Sequence, residues 1–254
     1  MKPFVSSIHF CPIKSLSFQK TNSIVIKKNI GIEDDRIFAF SRGLNELDTK
    51  NVEKNPSERE LINFLTLKNS PVLNKYDFKY KDEKVFILKD NKEICSYHIT
   101  DKNGLTTKLL ELEPGLPGPT YLLKNQIYPF YDTTNNSSVS NTISLINLNS
   151  IKDFSKKINK VIEFERFRGN IYIENLEAFE ERNWINKFIK INNTEFRILR
   201  NIPRCSATNL KINSAEVDIN LPNLLKKTYG HIDMGIYLFP LNNGKIKIGD
   251  SINF

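Results

Sequence analysis

The chain has 254 residues, of which 39% are hydrophobic and 26% charged, and it carries a formal net charge of +8. This composition excludes a largely disordered chain and suffices for one large domain or two small ones. The charge favours anionic partners such as phosphate-bearing ligands, nucleic acid or acidic proteins, although a solvated lysine-rich surface would give the same excess.

The first hundred residues are predicted to form short strands. Between residues 4 and 40 the apolar residues alternate or occur in short runs, and prolines, asparagines and Gly31 interrupt them. The polar stretch 42–58 predicts a hairpin loop followed by a helical or irregular turn. Three further strands are expected at 61–67, 76–80 and 84–89. We therefore expect a sheet or barrel of short strands in this part of the chain.

A helix and then a chain-breaking segment follow. Residues 101–113 are the first plausible helix, and residues 113–120 contain three prolines and two glycines, which suit a connection between domains or a loop over a site. Residues 143–148 predict a strand. Residues 149–159 predict an amphipathic helix, for which either Asn149 or Ser150 is the expected N-cap.

Strands dominate the remainder of the chain. Two helical turns are expected near 177–185 and 221–228, and Asn243-Gly244 between apolar runs predicts a hairpin. The strands are predicted at 161–166, 170–173, 187–191, 194–200, 207–212, 235–239 and 245–248. The fold class is therefore mainly β (α+β) with a few short helices. Closure of the sheets into barrels would leave few exposed edges.

The three cysteines, Cys11, Cys95 and Cys205, are too few and too scattered for a disulfide framework, and no Cys-x-x-Cys pair suggests zinc. A reducing compartment, the cytoplasm, is therefore predicted. The first 18 residues lack the apolar core of a signal peptide, and no run approaches the ~20 apolar residues of a membrane span. We accordingly expect no membrane span.

Cys205 is the residue with the clearest chemical potential. It follows Arg204 in a loop after an apparent strand, and a neighbouring cation favours the thiolate form. A thiolate is the ligand that a soft transition metal requires, and it is also a nucleophile. The competing interpretation is a buried cysteine that serves only as a small apolar residue.

Several basic residues stand at predicted strand boundaries: Lys14, Arg36, Arg166, Arg168 and Arg204. Arginine binds phosphate or carboxylate through two parallel hydrogen bonds, whereas any single one of these residues could equally form a surface ion pair of little consequence. The three histidines lie far apart in the sequence and show no metal-ligand spacing, so we expect them to be structural.

Taken together, several short motifs resemble those of MOSC-domain proteins, named for the C-terminal domain of molybdenum cofactor sulfurase. In chain order they are Pro-Ile-Lys-Ser-Leu at 12–16, Gly31 through Asp35-Arg36, Arg-Phe-Arg-Gly-Asn-Ile at 166–171, Phe179-Glu180-Glu181 with Trp184, Pro203-Arg204-Cys205 with Thr208, Gly235-Ile236-Tyr237, and Gly244 through Gly249-Asp250. The order and spacing are similar to the group that contains the mitochondrial amidoxime-reducing component and its bacterial counterparts. Two positions depart from that group: Gly169 replaces a frequent proline, and Cys11 replaces a frequent aromatic residue.

The resemblance implies a fold and a cofactor. It implies a MOSC N-terminal β-barrel domain at 1–100, packed on a C-terminal MOSC β-barrel at 101–254, and a molybdenum cofactor of the molybdopterin type. In that family, the position of Cys205 holds the protein ligand of molybdenum. Lys14, Ser15, Arg36, Arg168 and Asn170 match positions that hold the pterin and its phosphate, and Arg204 lies beside the metal ligand.

The function implied by the resemblance is oxidoreduction. The expected substrate is a small N-hydroxylated or N-oxygenated molecule, reduced at molybdenum by electrons from a separate flavin or iron–sulfur protein. A second hypothesis is a cofactor carrier or sulfur-delivery protein without turnover of its own. A third, a basic nucleic-acid-binding protein, has no recognised module in its support, so no nucleic-acid partner is expected.

Overall fold

The computed structural model describes residues 2–131 and 142–254. The strands are β1 (Phe4–Phe10), β2 (Gln19–Thr21), β3 (Ser23–Lys27), β4 (Gly31–Ile32), β5 (Phe38–Phe40), β6 (Asp77–Lys81), β7 (Lys84–Lys89), β8 (Lys92–His98), β9 (Leu122–Lys124), β10 (Ile143–Asn147), β11 (Ile171–Glu174), β12 (Phe188–Ile191), β13 (Thr194–Pro203), β14 (Asp233–Pro240), β15 (Gly244–Lys247) and β16 (Ile252–Asn253). The α-helices are α1 (Glu46–Lys54), α2 (Lys102–Leu112), α3 (Leu148–Lys157) and α4 (Leu221–Tyr229). The mainly β, α+β class is thereby confirmed.

Eight strands form the principal sheet, in the order β16-β12-β13-β14-β10-β11-β1-β2. The sheet curls until its ends meet: the Val5 backbone donates to the Asp250 carbonyl at 2.9 Å and accepts from Gly249 at 2.8 Å. Alternate residues of these strands point inward, for example Ile171 and Ile173 of β11, and they form one fully buried apolar cluster. The curled sheet therefore encloses its own core, as the barrel prediction requires.

Strands from the start of the chain belong to this core. β1 pairs antiparallel with β11 and carries β2 on its other side, while β3 pairs with β15 near the end of the chain. A second apolar cluster lies outside the barrel, around β5, the β6–β8 sheet and α2. A third fills the space beneath α3 and α4. β1 and β3 thus pair with strands from the second half of the chain. The domain boundary predicted at residue 100 stays a prediction.

The helices begin where polar caps satisfy their first amides. Asn147 caps α3, its side chain accepting from the Asn149 amide at 3.0 Å, so the cap lies two residues before the earlier of the two predicted positions. Asn220 caps α4 in the same way. Trp184 is 3% exposed and belongs to the barrel core, where its ring contacts Phe254. Within 2–131 and 142–254, no helix has the length and apolar character needed to cross a bilayer.

Three predicted strands are wrong. Residues 61–67, 161–166 and 207–212 contain short 3₁₀ turns at Leu61–Asn63, Phe164–Phe167 and Ser206–Asn209. Those of their apolar side chains that are buried, such as Leu65, Phe167 and Leu210, pack against the second and third clusters and do not alternate across a sheet. A spacing of three, as between Phe164 and Phe167, places side chains on one side of a 3₁₀ turn. Short apolar runs do not distinguish these two ways of burial.

The hairpin predicted at Asn243-Gly244 is also wrong in its pairing. The turn does join β14 to β15, but β15 leaves β14 and pairs with β3, with Ile246 opposite Ile24. Ile246 is fully buried in the barrel core. An Asn-Gly turn therefore does not by itself determine which strand β15 pairs with. The burial of Ile246 in the barrel core favours β3 as the partner.

We expect Gly235→Ala to lower the free energy of unfolding by about 2 kcal/mol more than Gly230→Ala, as judged from the cost of forcing a close contact. Both glycines have positive φ, +84° and +79°, so the conformational strain is shared. A Cβ at Gly235 would collide with the Leu145 carbonyl on β10, whereas a Cβ at Gly230 would meet nothing within 4 Å. Urea unfolding of both variants measures the difference, and equal losses would show that β14 can move away from β10.

Candidate functional site

A cavity of about 620 Å³ lies between the outer face of the barrel and the segment 61–69 of the second cluster. Ser144 on β10 and Tyr237 on β14 contribute to its barrel wall, and the turn at Phe167–Asn170 closes one side. Six of the seven predicted site residues line it: Ser15, Arg36, Arg168, Asn170, Arg204 and Cys205. Its size is that of a typical small-ligand site.

The barrel wall of the cavity is a row of polar side chains on adjacent strands. Arg200 of β13 pairs with Tyr237 of β14, which pairs with Ser144 of β10. Ser144 in turn accepts a hydrogen bond from the backbone amide of Asn170, just before β11. Because Leu145, on the opposite face from Ser144, belongs to the barrel core, this row faces outward into the cavity.

Arg36 and Arg168 form one cationic end of this cavity. Their guanidinium carbons lie 5.4 and 4.9 Å from the centre of the Phe18 ring, and so two distant parts of the chain meet on one aromatic side chain. Arg36 also pairs with the buried carboxylate of Asp35, and Arg168 donates to the Leu16 carbonyl at 2.6 Å. Both arginines adopt left-handed backbone conformations, with φ of 56° and 52°. Such conformations at non-glycine residues are uncommon and cluster at functional sites.

Asn170 holds the turn of Arg168 against the barrel. Its side-chain oxygen accepts from the Ser144 hydroxyl at 2.9 Å and from the Ser144 amide at 3.2 Å. Its side-chain nitrogen donates to the His9 carbonyl at 3.2 Å and to Asp35 at 3.4 Å. The amide is thus engaged with protein partners on both sides. Asn170 is 1% exposed, and its role in this arrangement is to position the neighbouring cations.

Asp35 lies at the same junction and is 1% exposed. It accepts the Cys11 amide at 2.6 Å in addition to Arg36 and Asn170. Burial raises the pKa of this carboxyl, and the adjacent Arg36 guanidinium opposes that shift. Asp35 therefore orients Arg36 from behind, while Arg36 lines the cavity.

Cys205 follows β13 directly and is the one exposed cysteine of the three. Its carbonyl accepts from the Thr208 hydroxyl at 2.8 Å and begins the 3₁₀ turn Ser206–Asn209, which fixes the backbone under the thiol. Cys11, by contrast, is fully buried, and burial raises the pKa of its thiol. The interpretation of Cys205 as a small core residue is therefore wrong, because its side chain is open to the cavity.

Arg204 is buried beside Cys205, at 9% exposure. Its guanidinium donates to the carbonyls of Met234 and of Phe167, the latter at 2.7 Å. Burial lowers the pKa of Arg204, although arginine stays charged at any physiological pH. A fixed positive charge held by neutral carbonyls thus lies next to Cys205 in the chain, where it can attract an anionic ligand.

Ser15 and Lys14 are separated by the structure. Ser15 lines the cavity and has a positive φ of 63°. Lys14 is only 2% exposed and lies outside the cavity wall, where its ammonium donates to the Phe130 and Tyr131 carbonyls at 3.2 and 3.0 Å. Lys14 therefore fastens the 130–131 segment to the motif that carries Ser15, and any effect on a ligand passes through that segment.

The cavity is strongly basic. The described residues that line it include five basic side chains and no aspartate or glutamate. The basic residues are Arg36, Lys68, Arg168, Arg200 and Arg204. Sequence reasoning missed Arg200 and the hydroxyl of Ser144, because both lie within predicted strands, where a polar residue is expected to face solvent. It also missed Lys68, which directly follows the strand predicted at 61–67. The arrangement suits an anionic ligand that spans the cavity.

The residues present fit a metal that brings most of its own ligands. Over 2–131 and 142–254, no three His, Cys, Asp or Glu side chains group closely enough to hold a metal ion. The cavity offers one accessible thiol, which is a soft ligand, together with cations for an anionic organic group. Such a donor set matches a metal bound to a phosphate-bearing, sulfur-rich cofactor.

Residues 132–253 match the MOSC domain model. The chain is 25% identical over 161 residues to mitochondrial amidoxime reducing component 2 of Rattus norvegicus, covering 57% of this chain and 46% of the relative. The Bos taurus protein of the same name is also 25% identical, over 50% of this chain and 42% of its own length. The chain thus matches less than half the length of these relatives. The YuaD protein of Bacillus subtilis aligns over 99% of this chain and 94% of its own at 10% identity and a TM-score of 0.45.

Proposed function

We propose that this chain, a protein with a MOSC domain, is a molybdenum-cofactor-dependent oxidoreductase that reduces small N-hydroxylated or N-oxygenated molecules. The observation that carries the proposal is an exposed thiol, Cys205, in the wall of a cavity whose described lining residues include four arginines and no carboxylate. The matched relatives named amidoxime reducing components support the reaction class. The cofactor, its ligand and the substrate are all parts of this proposal.

Arg36 and Arg168 would hold the phosphate of the cofactor. Their guanidinium groups are brought together over Phe18, so two sets of planar donors are available at one end of the cavity. The Ser15 hydroxyl lies in the same wall and can donate a further hydrogen bond. Asn170 and Asp35 keep the two arginines in place through the bonds described above.

Cys205 would supply the protein ligand to molybdenum, and the buried positive charge of Arg204 would lie beside it. When bound, the cofactor supplies a metal that accepts an oxygen atom and cycles between oxidation states. The protein residues would bind and orient the cofactor: the cationic end would hold the phosphate and Cys205 the metal, while Leu61 and Ile62 contribute apolar surface to the cavity. The two electrons would come from a separate flavin or iron–sulfur protein.

The rival proposal, a cofactor carrier or sulfur-delivery protein, uses the same exposed thiol. In that case Cys205 would carry sulfur or release the loaded cofactor to another enzyme, and the chain would not turn over substrate. The two proposals share a cofactor and differ in turnover. A test must therefore measure both quantities on the same preparation.

The deciding measurement is metal content and turnover of protein made in a host that synthesises the cofactor. We expect about one molybdenum per chain and consumption of benzamidoxime with an artificial reductant. Arg36→Gln combined with Arg168→Gln should reduce the molybdenum content at least ~10-fold, because each charge-assisted contact contributes roughly 1.5–3 kcal/mol. Arg197→Gln, an exposed arginine on β13 outside the cavity, is the matched control and should retain the metal.

Two results would contradict the proposal. Molybdenum without turnover favours the carrier, and absence of molybdenum from wild-type protein in a competent host removes the cofactor altogether. If the double variant keeps its molybdenum, the phosphate does not lie between Arg36 and Arg168.

A further inference from the structure

We infer that Arg200 is a specificity-determining residue that binds an anionic group of the substrate, so that the preferred substrates are N-hydroxylated compounds carrying a carboxylate. This inference rests on the proposed function and assigns the class of substrate. Arg200 lines the cavity on β13, the strand that leads to Cys205.

A β-bulge turns Arg200 toward the cavity. Phe196 and Ile198 point into the barrel core, and regular alternation would send residue 200 into the same core. The pairing shifts between Ile198 and Arg200, with Ile198 opposite Leu238 and Arg200 opposite Tyr237, so Leu199 is an extra residue on β13. A bulge of this kind reverses the side on which the next side chain lies. Arg200 is consequently exposed and shares the cavity face with Tyr237.

Arg200 and the pair Arg36–Arg168 occupy different ends of the cavity. From β13 the sheet passes through β14 and β10 to β11, which are three strand spacings, or about 14 Å. Asn170, immediately before β11, contacts Asp35 behind Arg36. The proposed phosphate site is therefore on the β11 side. Arg200 is on the β13 side, where the chain continues to Cys205.

The guanidinium of Arg200 is available for a ligand. Among the described residues it makes a cation–π contact with the Tyr237 ring, whose centre lies 5.3 Å from the guanidinium carbon, and no aspartate or glutamate forms an ion pair with it. This differs from Arg166, whose side chain is engaged by Glu163 and Asp218. Contact with an aromatic face limits the rotamers of Arg200, so less entropy is lost when an anion binds.

The chemistry of the surroundings defines the ligand. Planar guanidinium donors match a carboxylate through two parallel hydrogen bonds. Leu61, Ile62 and Ala207 provide apolar surface in the same cavity. A molecule with an apolar body, an N-hydroxyl group directed to the Cys205 side and a carboxylate on Arg200 satisfies all three features. Neutral N-hydroxylated molecules would bind without the last contact.

The test compares benzamidoxime with 4-carboxybenzamidoxime, both as direct binding by calorimetry and as turnover with an artificial reductant. We expect wild-type protein to bind the carboxylated compound at least ~10-fold more tightly, as one charge-assisted contact predicts. Arg200→Gln should reduce this ratio to near one at unchanged molybdenum content, and Arg200→Lys should retain part of it. Arg197→Gln, on the same strand but outside the cavity, should keep the full ratio.

A ratio near one in wild-type protein, or an undiminished ratio in Arg200→Gln, overturns the inference. Loss of molybdenum in Arg200→Gln also overturns it, since Arg200 would then hold the cofactor. Preferential binding without turnover would refute the proposed function and leave the subsite standing, so the two failures are distinguishable.

Discussion

Cys205→Ser is expected to abolish reduction of N-hydroxylated substrate, with residual turnover below a hundredth of the wild-type rate. A serine oxygen is a harder donor than a thiolate, so it would be a poorer ligand to the soft, sulfur-rich metal site of the proposed cofactor. The side chain is exposed, so its replacement removes little packing. Turnover with an artificial reductant and the molybdenum content of the same sample are the measurements.

The cysteine at position 95 offers a matched control. Cys95 is half-buried on β8, within the β6–β8 sheet, and it does not line the cavity. Cys95→Ser should retain the full rate, and both variants should unfold at nearly the wild-type urea concentration. Full activity of Cys205→Ser at unchanged molybdenum content would refute the ligand role. Equal losses in both serine variants would indicate general thiol damage.

The site residues that could be predicted from the sequence are charged or nucleophilic residues next to turns. Cys205, Arg204, Arg36 and Arg168 all follow or precede turns, where a charged or nucleophilic side chain has no packing reason to occur. The structure brings these four into the wall of one cavity. The order of the short motifs along the chain was sufficient to predict this grouping, because the resemblance to MOSC-domain proteins joins positions that are far apart in the sequence.

Lys14 and Arg200 show where sequence reasoning stops. Lys14 lies beside Ser15 in one motif, yet its ammonium is buried against the carbonyls of residues 130 and 131. Arg200 is directed into the cavity by a bulge that depends on the pairing of β13 with β14. Neither side-chain direction is encoded locally. Both depend on contacts between segments that are far apart in the chain.

Secondary structure was predictable where periodicity and burial agree. β10, β12, β13 and α4 lie close to their predicted positions because alternating or amphipathic patterns have one solution there. Strands β8 and β9 were missed. β8 is polar along most of its length, and β9 has only three residues, Leu122–Lys124, so neither offers a clear pattern. Their pairing partners β7 and β5 define them as strands.

Asn170→Asp is expected to lower the free energy of unfolding at neutral pH by about 3–5 kcal/mol, the typical cost of an uncompensated buried charge. The substitution preserves the acceptor for Ser144 but replaces the donor to His9 and Asp35 by a second carboxylate oxygen. Two carboxylates would then face each other at a site that is 1% exposed, with one arginine, Arg36, to balance them. A matched Asn170→Ala variant loses both donors and also the acceptor for Ser144, without adding charge.

The pH dependence separates these two variants. Burial and the Asp35 charge raise the folded-state pKa of the new carboxyl above the ~3.9 of an unfolded aspartate. The folded form therefore holds the proton more strongly. Relative to wild type, Asn170→Asp should be most stable below the pKa of the unfolded aspartate, where the carboxyl is protonated in both states. Its stability should fall as the pH rises through the interval between the two pKa values. Asp35 titrates in the same experiments, and its contribution differs between the variants: Asn170→Ala removes a hydrogen bond that lowers the pKa of Asp35, whereas Asn170→Asp replaces that bond by a like charge. Urea unfolding from pH 3.5 to 8 should give a deficit that grows with pH for both variants, and the growth should be clearly larger for Asn170→Asp, which adds a second buried carboxyl. Parallel curves for the two variants would mean that the side chain at position 170 does not face Asp35 in a buried, water-free contact. The proposal that Asn170 and Asp35 position Arg36 would then be wrong.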